Sequence, residues 1–180
     1  EVRRDPLTQL LNKLEVQKEV THYIEENPNK SSVLFLIDID DFKGINDNFG
    51  HTFGDTVIMD TAKQIRSQFR MDDIFGRVGG DEFLVFMKNT TVEKAEEKAK
   101  ILCHALEKKY MGRKLHYRLS VSIGMAVYAK DGDNYRTLFE KADHAMYRAK
   151  KAGKDGYQLA QEEDHGPVKD NKHVIDRQER

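Results

Sequence analysis

The chain reads as an α+β domain built around a mixed sheet of four or five strands covered by helices. Three observations predict this. A continuous apolar and β-branched run, Val33 to Ile39, has the look of a central strand buried on both faces. A pair of short apolar runs, Ile74 to Val78 and Phe83 to Met87, is separated by Gly79-Gly80-Asp81-Glu82, which reads as a tight hairpin whose glycines permit positive φ and whose tip displays adjacent carboxylates. Amphipathic segments at helical spacing stand between and around these strands.

In chain order, Asp5-Pro6 reads as a helix start, with Asp as N-cap and Pro in the first helical position. After a turn near Asn12, Val16, Val20, Tyr23 and Ile24 recur at helical spacing until Asn27-Pro28 ends them. The strand Val33 to Ile39 ends in the acidic cluster Asp38-Ile39-Asp40-Asp41. Residues 41–55 hold too many turn formers for a strand and lead into a helix beginning near Gly54, with Ile58, Ala62, Ile65 and Phe69 on its inner face. The hairpin comes next. Thr91 caps a third helix with core face Ala95, Ala99, Leu102 and Leu106 and a solvated face dense in Glu and Lys. From Leu115, the residues Tyr117, Leu119, Val121, Ile123, Met125 and Val127 alternate at period two, as in a long strand with one buried face. Leu138, Ala142, Ala145, Met146 and Ala149 mark the last helix, ended by Gly153.

At 180 residues and 38% hydrophobic content, the chain suits one domain with a real core. We expect a domain over residues 1–160 and a polar, flexible tail or linker over 161–180, where Gly166-Pro167 breaks any pattern. The abrupt start at Glu1 points to further sequence upstream. With 31 acidic against 30 basic residues, the chain lacks the cationic excess of a nucleic-acid-coating protein, and a small anionic ligand stays open. The single cysteine, Cys103, excludes an intrachain disulfide and favours a cytoplasmic setting. No apolar stretch approaches the roughly 20 residues of a membrane span, so no membrane contact by this domain is expected.

Two strand ends carry the chemistry. Mg²⁺ takes oxygen ligands in octahedral geometry and combines one or two protein carboxylates with substrate phosphates. Asp38 and Asp81 could supply such ligands if their strands are neighbours. Asp40, just past its strand, has the weaker claim and reads as a cap for the next segment. In the stretch between the two clusters, exposed backbone N–H groups at a turn or helix start can hold phosphate oxygens, and Lys43 adds a point charge. Asn46 and Asp55 are the sharper candidates there: a carboxylate can accept both the N1–H and the exocyclic amine of guanine, a donor pair adenine lacks. Asp55 could equally cap the helix. His51, with no second His at ligand spacing, reads as structural.

Taken in order and spacing, these segments resemble the GGDEF family of diguanylate cyclases over roughly residues 3 to 157. The resemblance rests on Asp5-Pro6-Leu7-Thr8, Asp38 through Lys43, Asn46-Asp47, Gly50-His51, Gly54-Asp55, Arg77-Val78 before the hairpin motif, Ser122-Ile123-Gly124, and Ala142-Asp143 through Ala149-Lys150. It implies a ferredoxin-like or palm-like fold with a mainly antiparallel sheet of about five strands, GTP as substrate and cyclic di-GMP as product. By position, Asp38, the carbonyl of Ile39, and Asp81 would ligate Mg²⁺, with Mn²⁺ as an alternative. Glu82 would bind metal or activate the attacking 3′-hydroxyl, the two roles being inseparable at this level. Asn46 and Asp55 would read guanine, while Phe42 (through its backbone), Lys43, Lys150 and Lys154 would face the phosphates. Lys154 and Asp155 stand where the family has Arg and Asn; Lys keeps the charge and loses the bidentate fork. Gln9 and Lys13 replace the usual Gly and Arg, away from the inferred chemistry.

Arg70 and Asp73 have the Arg-x-x-Asp spacing, ahead of the hairpin, of the family's product-binding inhibitory site, where Arg can donate to guanine O6 and N7 and Asp can accept from its N1–H and amine edge. The whole implies a homodimer, since one protomer offers one guanine pocket, an upstream sensory or regulatory domain, and as the rival reading a catalytically silent GTP or cyclic di-GMP sensor.

Overall fold

The computed structural model describes residues 3–111 and 116–168. Five helices flank a five-stranded sheet. The elements are α1 (Lys13–Glu26), β1 (Val33–Ile39), α2 (Phe42–Phe49), α3 (His51–Gln68), β2 (Ile74–Arg77), β3 (Glu82–Met87), α4 (Val92–Leu106), β4 (Lys108–Met111), β5 (His116–Leu119), β6 (Val121–Val127), α5 (Tyr135–Lys151) and β7 (Gly156–Leu159). The main sheet runs β2-β3-β1-β6-β7, antiparallel except for the parallel pair β6–β7, while β4 and β5 form a separate two-stranded ribbon.

The sheet divides the core into two layers. Leu34, Leu36, Leu84 and Phe86 pack under α1 and α5, while Phe35, Ile37, Phe83 and Val85 pack under α2, α3 and α4. Burial on both faces explains the unbroken apolar runs of β1 and β3. Asn12 caps α1, Thr91 caps α4 and Asn134 caps α5, each accepting from a backbone N–H three residues on.

Five sequence expectations change in the structure. Asp5-Pro6 opens a turn rather than a helix, with the Asp5 carboxylate accepting from the Thr8 amide at 2.8 Å and hydroxyl at 2.7 Å. Residues 42–49 are helical despite their turn formers, and α3 starts at His51, ahead of Gly54. The long strand breaks at Ser120 into β5 and β6, and Leu115 lies outside the described residues. β6 is buried throughout, because its small alternate residues Ser122, Gly124 and Ala126 lie under α5; a Cβ on Gly124 would sit 1.9 Å from the Ala142 carbonyl oxygen. The hairpin glycines are not among those with positive φ, which are Gly50, Gly153 and Gly166 in the described residues. The absence of a side chain at Gly79 instead makes room for Glu82, whose Cβ would lie 3.2 Å from a Gly79 Cβ.

Residues 161–168, read as the start of a polar tail, lie against α5. Arg148 pairs with the buried Asp164, Lys141 donates to the carbonyls of Gln161 and Glu162, and the His144 ring meets the Gly166 carbonyl at 2.6 Å. The remainder of that segment, 169–180, lies outside the described residues.

Candidate functional site

The register of β1 brings the two acidic clusters together. Asp38 is the antiparallel partner of Glu82 on one side and of Ser122 on the other. The next rung joins the Ile39 N–H to the Asp81 carbonyl at 3.1 Å. Asp38, Asp81 and Glu82 are all buried, at 4%, 6% and 4% exposure, so the hairpin carboxylates are withdrawn into the fold and not displayed at a tip. Two carboxylates directly opposite each other on adjacent strands are mutually destabilising without a cation between them.

Lys150, from the last turns of α5, supplies part of that charge, with Nζ 2.9 Å from Asp38 Oδ2 and 3.5 Å from Asp40 Oδ1. Burial alone would lower its pKa, and the two carboxylates outweigh it, so the ammonium is held charged. Asp38 Oδ1, by contrast, is buried with no hydrogen-bond partner. Asp40 is fully engaged: Ser120 and Ser122 hydroxyls donate to it at 2.6 Å each, and the Asp155 amide at 3.0 Å. Its role is therefore to build the strand end and not to cap the next segment, whose N-cap position belongs to Asp41.

The orphaned Asp38 Oδ1 beside Glu82 and Asp81 fits a hard divalent cation. Among the described residues no three His, Cys, Asp or Glu side chains converge as a preformed cage. A site with few protein carboxylates, completed by carbonyl, water and phosphate oxygens, is the pattern of Mg²⁺ in nucleotide enzymes.

The hairpin is braced from the N-terminal segment. Arg77 donates to the Gly80 carbonyl through Nε at 3.1 Å and Nη2 at 2.7 Å, while its Nη1 meets Asp5 Oδ1 at 3.1 Å. Asp5-Pro6-Leu7-Thr8 and Arg77-Val78 are thus one network, a link between residues far apart in sequence. The structure also corrects the reading of Lys13 as remote: it lines a cleft of ≈ 280 Å³ with Val78, Gly79, Gly80, Asp81, Glu82 and Phe139. Nothing local in the sequence marks it, because α1 reaches the hairpin only through the tertiary fold.

The remaining nucleotide candidates gather beside the strand end. Phe42 is buried and Lys43 exposed at the start of α2. Asn46 lies over Gly54, where a Cβ would meet Asn46 Oδ1 at 1.9 Å and the Phe42 ring at 3.2 Å. Asp55 is next, exposed within α3 and well past its Gly50 cap, so it does not cap the helix. Lys154 Nζ is paired with Asp41 Oδ1 at 2.6 Å. Gly153, Lys154 and Asp155 all have positive φ, at 119°, 63° and 44°, a region that Asn and Asp enter more readily than most residues.

Arg70 and Asp73 sit in the turn before β2, beside Lys88 at the other end of β3. The Asp73 side chain is fully buried, accepting from the amides of Lys88 at 3.0 Å and Arg70 at 3.1 Å. Burial outweighs those bonds and raises its pKa. Arg70 donates to the Lys88 carbonyl and lies 3.9 Å from Asp73. A cavity of ≈ 370 Å³ beside them is lined by Arg70, Asp73, Lys94 and Lys98, among others.

Comparison with known families matches residues 2–156 to "Diguanylate cyclase, GGDEF domain". The chain belongs to the GGDEF family. This GGDEF domain is 35% identical over 156 residues to the bifunctional diguanylate cyclase/cyclic di-GMP phosphodiesterase MucR of Pseudomonas aeruginosa, covering 85% of this chain and 23% of MucR. It is 37% identical over 130 residues to diguanylate cyclase A of Treponema denticola, covering 71% of this chain and 34% of that protein. It is also 33% identical over 150 residues to the cyclic di-GMP phosphodiesterase PdeR of Escherichia coli, covering 83% and 23%. The chain therefore spans about a quarter to a third of these relatives' lengths. Among solved structures, the GGDEF domain of TpbB (YfiN) from Pseudomonas aeruginosa matches with a TM-score of 0.84 at 29% identity, covering 97% of this chain and 99% of that one. The GGDEF domain of DgcB from Caulobacter crescentus, solved in complex with c-di-GMP, matches with a TM-score of 0.79 at 26% identity, covering 89% and 97%. The α+β fold and the cyclic di-GMP signalling family are those expected from the sequence. No helix among the described residues is long and apolar enough to cross a membrane.

Proposed function

We propose that this GGDEF domain is a diguanylate cyclase that condenses two GTP into cyclic di-GMP with release of two pyrophosphates. The observation that carries the reading is the opposition of Asp38 and Glu82 on neighbouring strands, with Asp38 Oδ1 buried and unpartnered. Asp38, the Ile39 carbonyl, Asp81 and Glu82 are the residues that would hold Mg²⁺ or Mn²⁺. Bound there, the metal would supply charge stabilisation for the attacking and leaving oxygens.

In each step a 3′-oxygen forms a bond to the α-phosphorus of the other nucleotide, the bond from that phosphorus to pyrophosphate breaks, and the hydroxyl proton leaves. Glu82 is the candidate to accept that proton if it is not wholly committed to metal. Lys43 and Lys150 neutralise the triphosphate, and the amide of Phe42 donates to it. Lys154 joins them only by exchanging Asp41 for a phosphate oxygen. Asn46 and Asp55 select guanine. One domain holds one GTP, so two protomers face each other for the reaction, in the cytoplasm and under an upstream regulatory domain. Arg70 makes the product-inhibitory site, on the turn that the buried Asp73 closes.

The test is incubation with GTP and Mg²⁺, following cyclic di-GMP and pyrophosphate. Equal release of pyrophosphate and consumption of GTP, with a specific rate that rises with protein concentration, is expected of a cyclase working as a dimer. The rival reading, a silent GTP or cyclic di-GMP sensor, draws on the similarity to a relative named as a phosphodiesterase; GTP binding without product would establish it.

A further inference from the structure

α2 starts poorly for a helix. Asp41 at its N-cap is in the left-handed region at φ 53° and ψ 38° and gives no side-chain cap. The helix has only eight residues, too few to be stable on local propensity. Yet it carries Phe42, Lys43 and Asn46, whose relative placement the nucleotide site depends on.

Tyr117, from β5, touches both ends of it. Its hydroxyl donates at 3.0 Å to the Asp41 carbonyl and lies 3.3 Å from that of Asp40. The Asp41 carbonyl also accepts the first helical bond, from the Ile45 amide at 3.3 Å, so hydroxyl and helix share one anchor. At the far end the Tyr117 ring meets Phe49 edge-on, with centroids 5.9 Å apart at 90°. Phe49 in turn packs on Phe53 at 4.9 Å, directly before Gly54-Asp55. Burial, and then the Asp41 and Asp40 carboxylates, push the Tyr117 phenol up to about 12, so it stays a donor through the neutral range.

We infer that Tyr117 is a positioning residue for the guanine-nucleotide site: its hydroxyl fixes the Asp40–Asp41 turn and its ring fixes Phe49, so that α2 presents Phe42, Lys43 and Asn46 in one register. The role in nucleotide binding rests on the cyclase reading; the role in holding α2 does not. Its place on an alternating strand does not mark it for this role, since its hydroxyl's partners lie more than seventy residues away.

The decisive variant is Tyr117→Phe, which keeps the ring on Phe49 and deletes only the hydroxyl. Tyr128→Phe is the matched control, because the Tyr128 hydroxyl also donates to a backbone carbonyl, that of Pro28 at 3.1 Å, away from the nucleotide residues. Three measurements are made on the full chain: titration with GTP in Mg²⁺, steady-state kinetics of pyrophosphate release, and amide hydrogen exchange at Ile45 and Asn46. Tyr117→Phe is expected to weaken GTP binding about five- to tenfold, the scale of one lost hydrogen bond. KM should rise more than kcat falls, and the Ile45 and Asn46 amides should exchange faster. Tyr128→Phe should leave GTP affinity where it is. Unchanged exchange at Ile45 and Asn46 in Tyr117→Phe would overturn the inference, and so would faster exchange with GTP affinity equal to that of wild type. A wild-type chain that binds no GTP would overturn the cyclase reading instead, and the exchange result alone would then decide whether Tyr117 holds α2.

Discussion

Asp38 and Glu82 are directly opposed on β1 and β3, each at 4% exposure. Lys150 answers one oxygen of Asp38 and leaves the other without a partner. A fold that places two buried carboxylates opposite each other on adjacent strands sets two like charges side by side, an arrangement that is unfavourable in itself. The divalent cation proposed for this site would relieve it.

Glu82→Gln tests that relationship. The amide keeps the size of the side chain and removes its charge, so turnover should be lost while the metal-free domain stays folded. Thermal melts with and without MgCl₂ check this. Wild type should gain stability with the metal, and Glu82→Gln should gain much less. A large loss of stability in the metal-free variant would mean that Glu82 serves the fold and not a cation.

Asp55→Ala separates recognition from folding. Asp55 lies inside α3, on its exposed side, while Gly50 is the cap, so alanine leaves the helix intact. The loss should fall on guanine selectivity: the preference for GTP over ATP is expected to drop at least about tenfold, or 1.4 kcal/mol. Competition titrations with the two nucleotides read this directly, and equal weakening of both would remove Asp55 from the guanine site.

Burial decides how much of the molecule is legible in the sequence. β1, β3, α4 and α5 announce themselves because two-sided burial or a helical stripe writes a strong apolar pattern, and the buried faces of α4 and α5 fall on the residues predicted. Asp38, Asp81 and Glu82 stand out because carboxylates at the ends of such strands are unusual. α2 is hidden because Gly44, Asn46, Asp47 and Asn48 are weak helix formers, and Ile45 in the core and Tyr117 outside it hold the helix in place. The polar edge strands β4 and β7 carry too little apolar pattern to be seen. Gln9 adopts φ 63°, a conformation that explains why glycine suits this position and that no neighbouring residue signals. Lys13 and Tyr117 reach the site only through long-range packing, which sequence spacing does not encode.

Arg70→Ala tests product control. Because Asp73 is committed to two backbone amides, the exposed guanidinium of Arg70 is the group that can exchange its Lys88 carbonyl partner for an anionic ligand in the adjoining cavity, with Lys94 and Lys98 nearby. The variant should show early rates close to wild type and lose most of the slowing caused by added cyclic di-GMP. Asp73→Ala should instead lower thermal stability, since it strands the Lys88 and Arg70 amides. Identical inhibition curves for wild type and Arg70→Ala would leave this pair the structural role of closing the turn before β2.

Asp164→Asn tests the segment after β7. Burial would raise the Asp164 carboxyl, but the hydrogen bonds from Arg148 and the Gln161 amide outweigh it and hold its pKa below the usual 3.8. Folding therefore favours the ionised form, and its contribution is present above pH 3.8 and fades as pH falls through the lower folded value. Near neutral pH the substitution should cost about 1.5–3 kcal/mol, the range for a hydrogen bond to a charged partner. Arg148 stands one position from Ala149 and two from Lys150, so loosening it should also weaken the hold on the helix end that supplies the Asp38 partner. Melting curves of wild type and variant, taken from neutral pH down into the acid range, should converge below pH 3.8. A constant gap across that range would show that the carboxylate charge contributes nothing and that the segment is held by packing and its other hydrogen bonds.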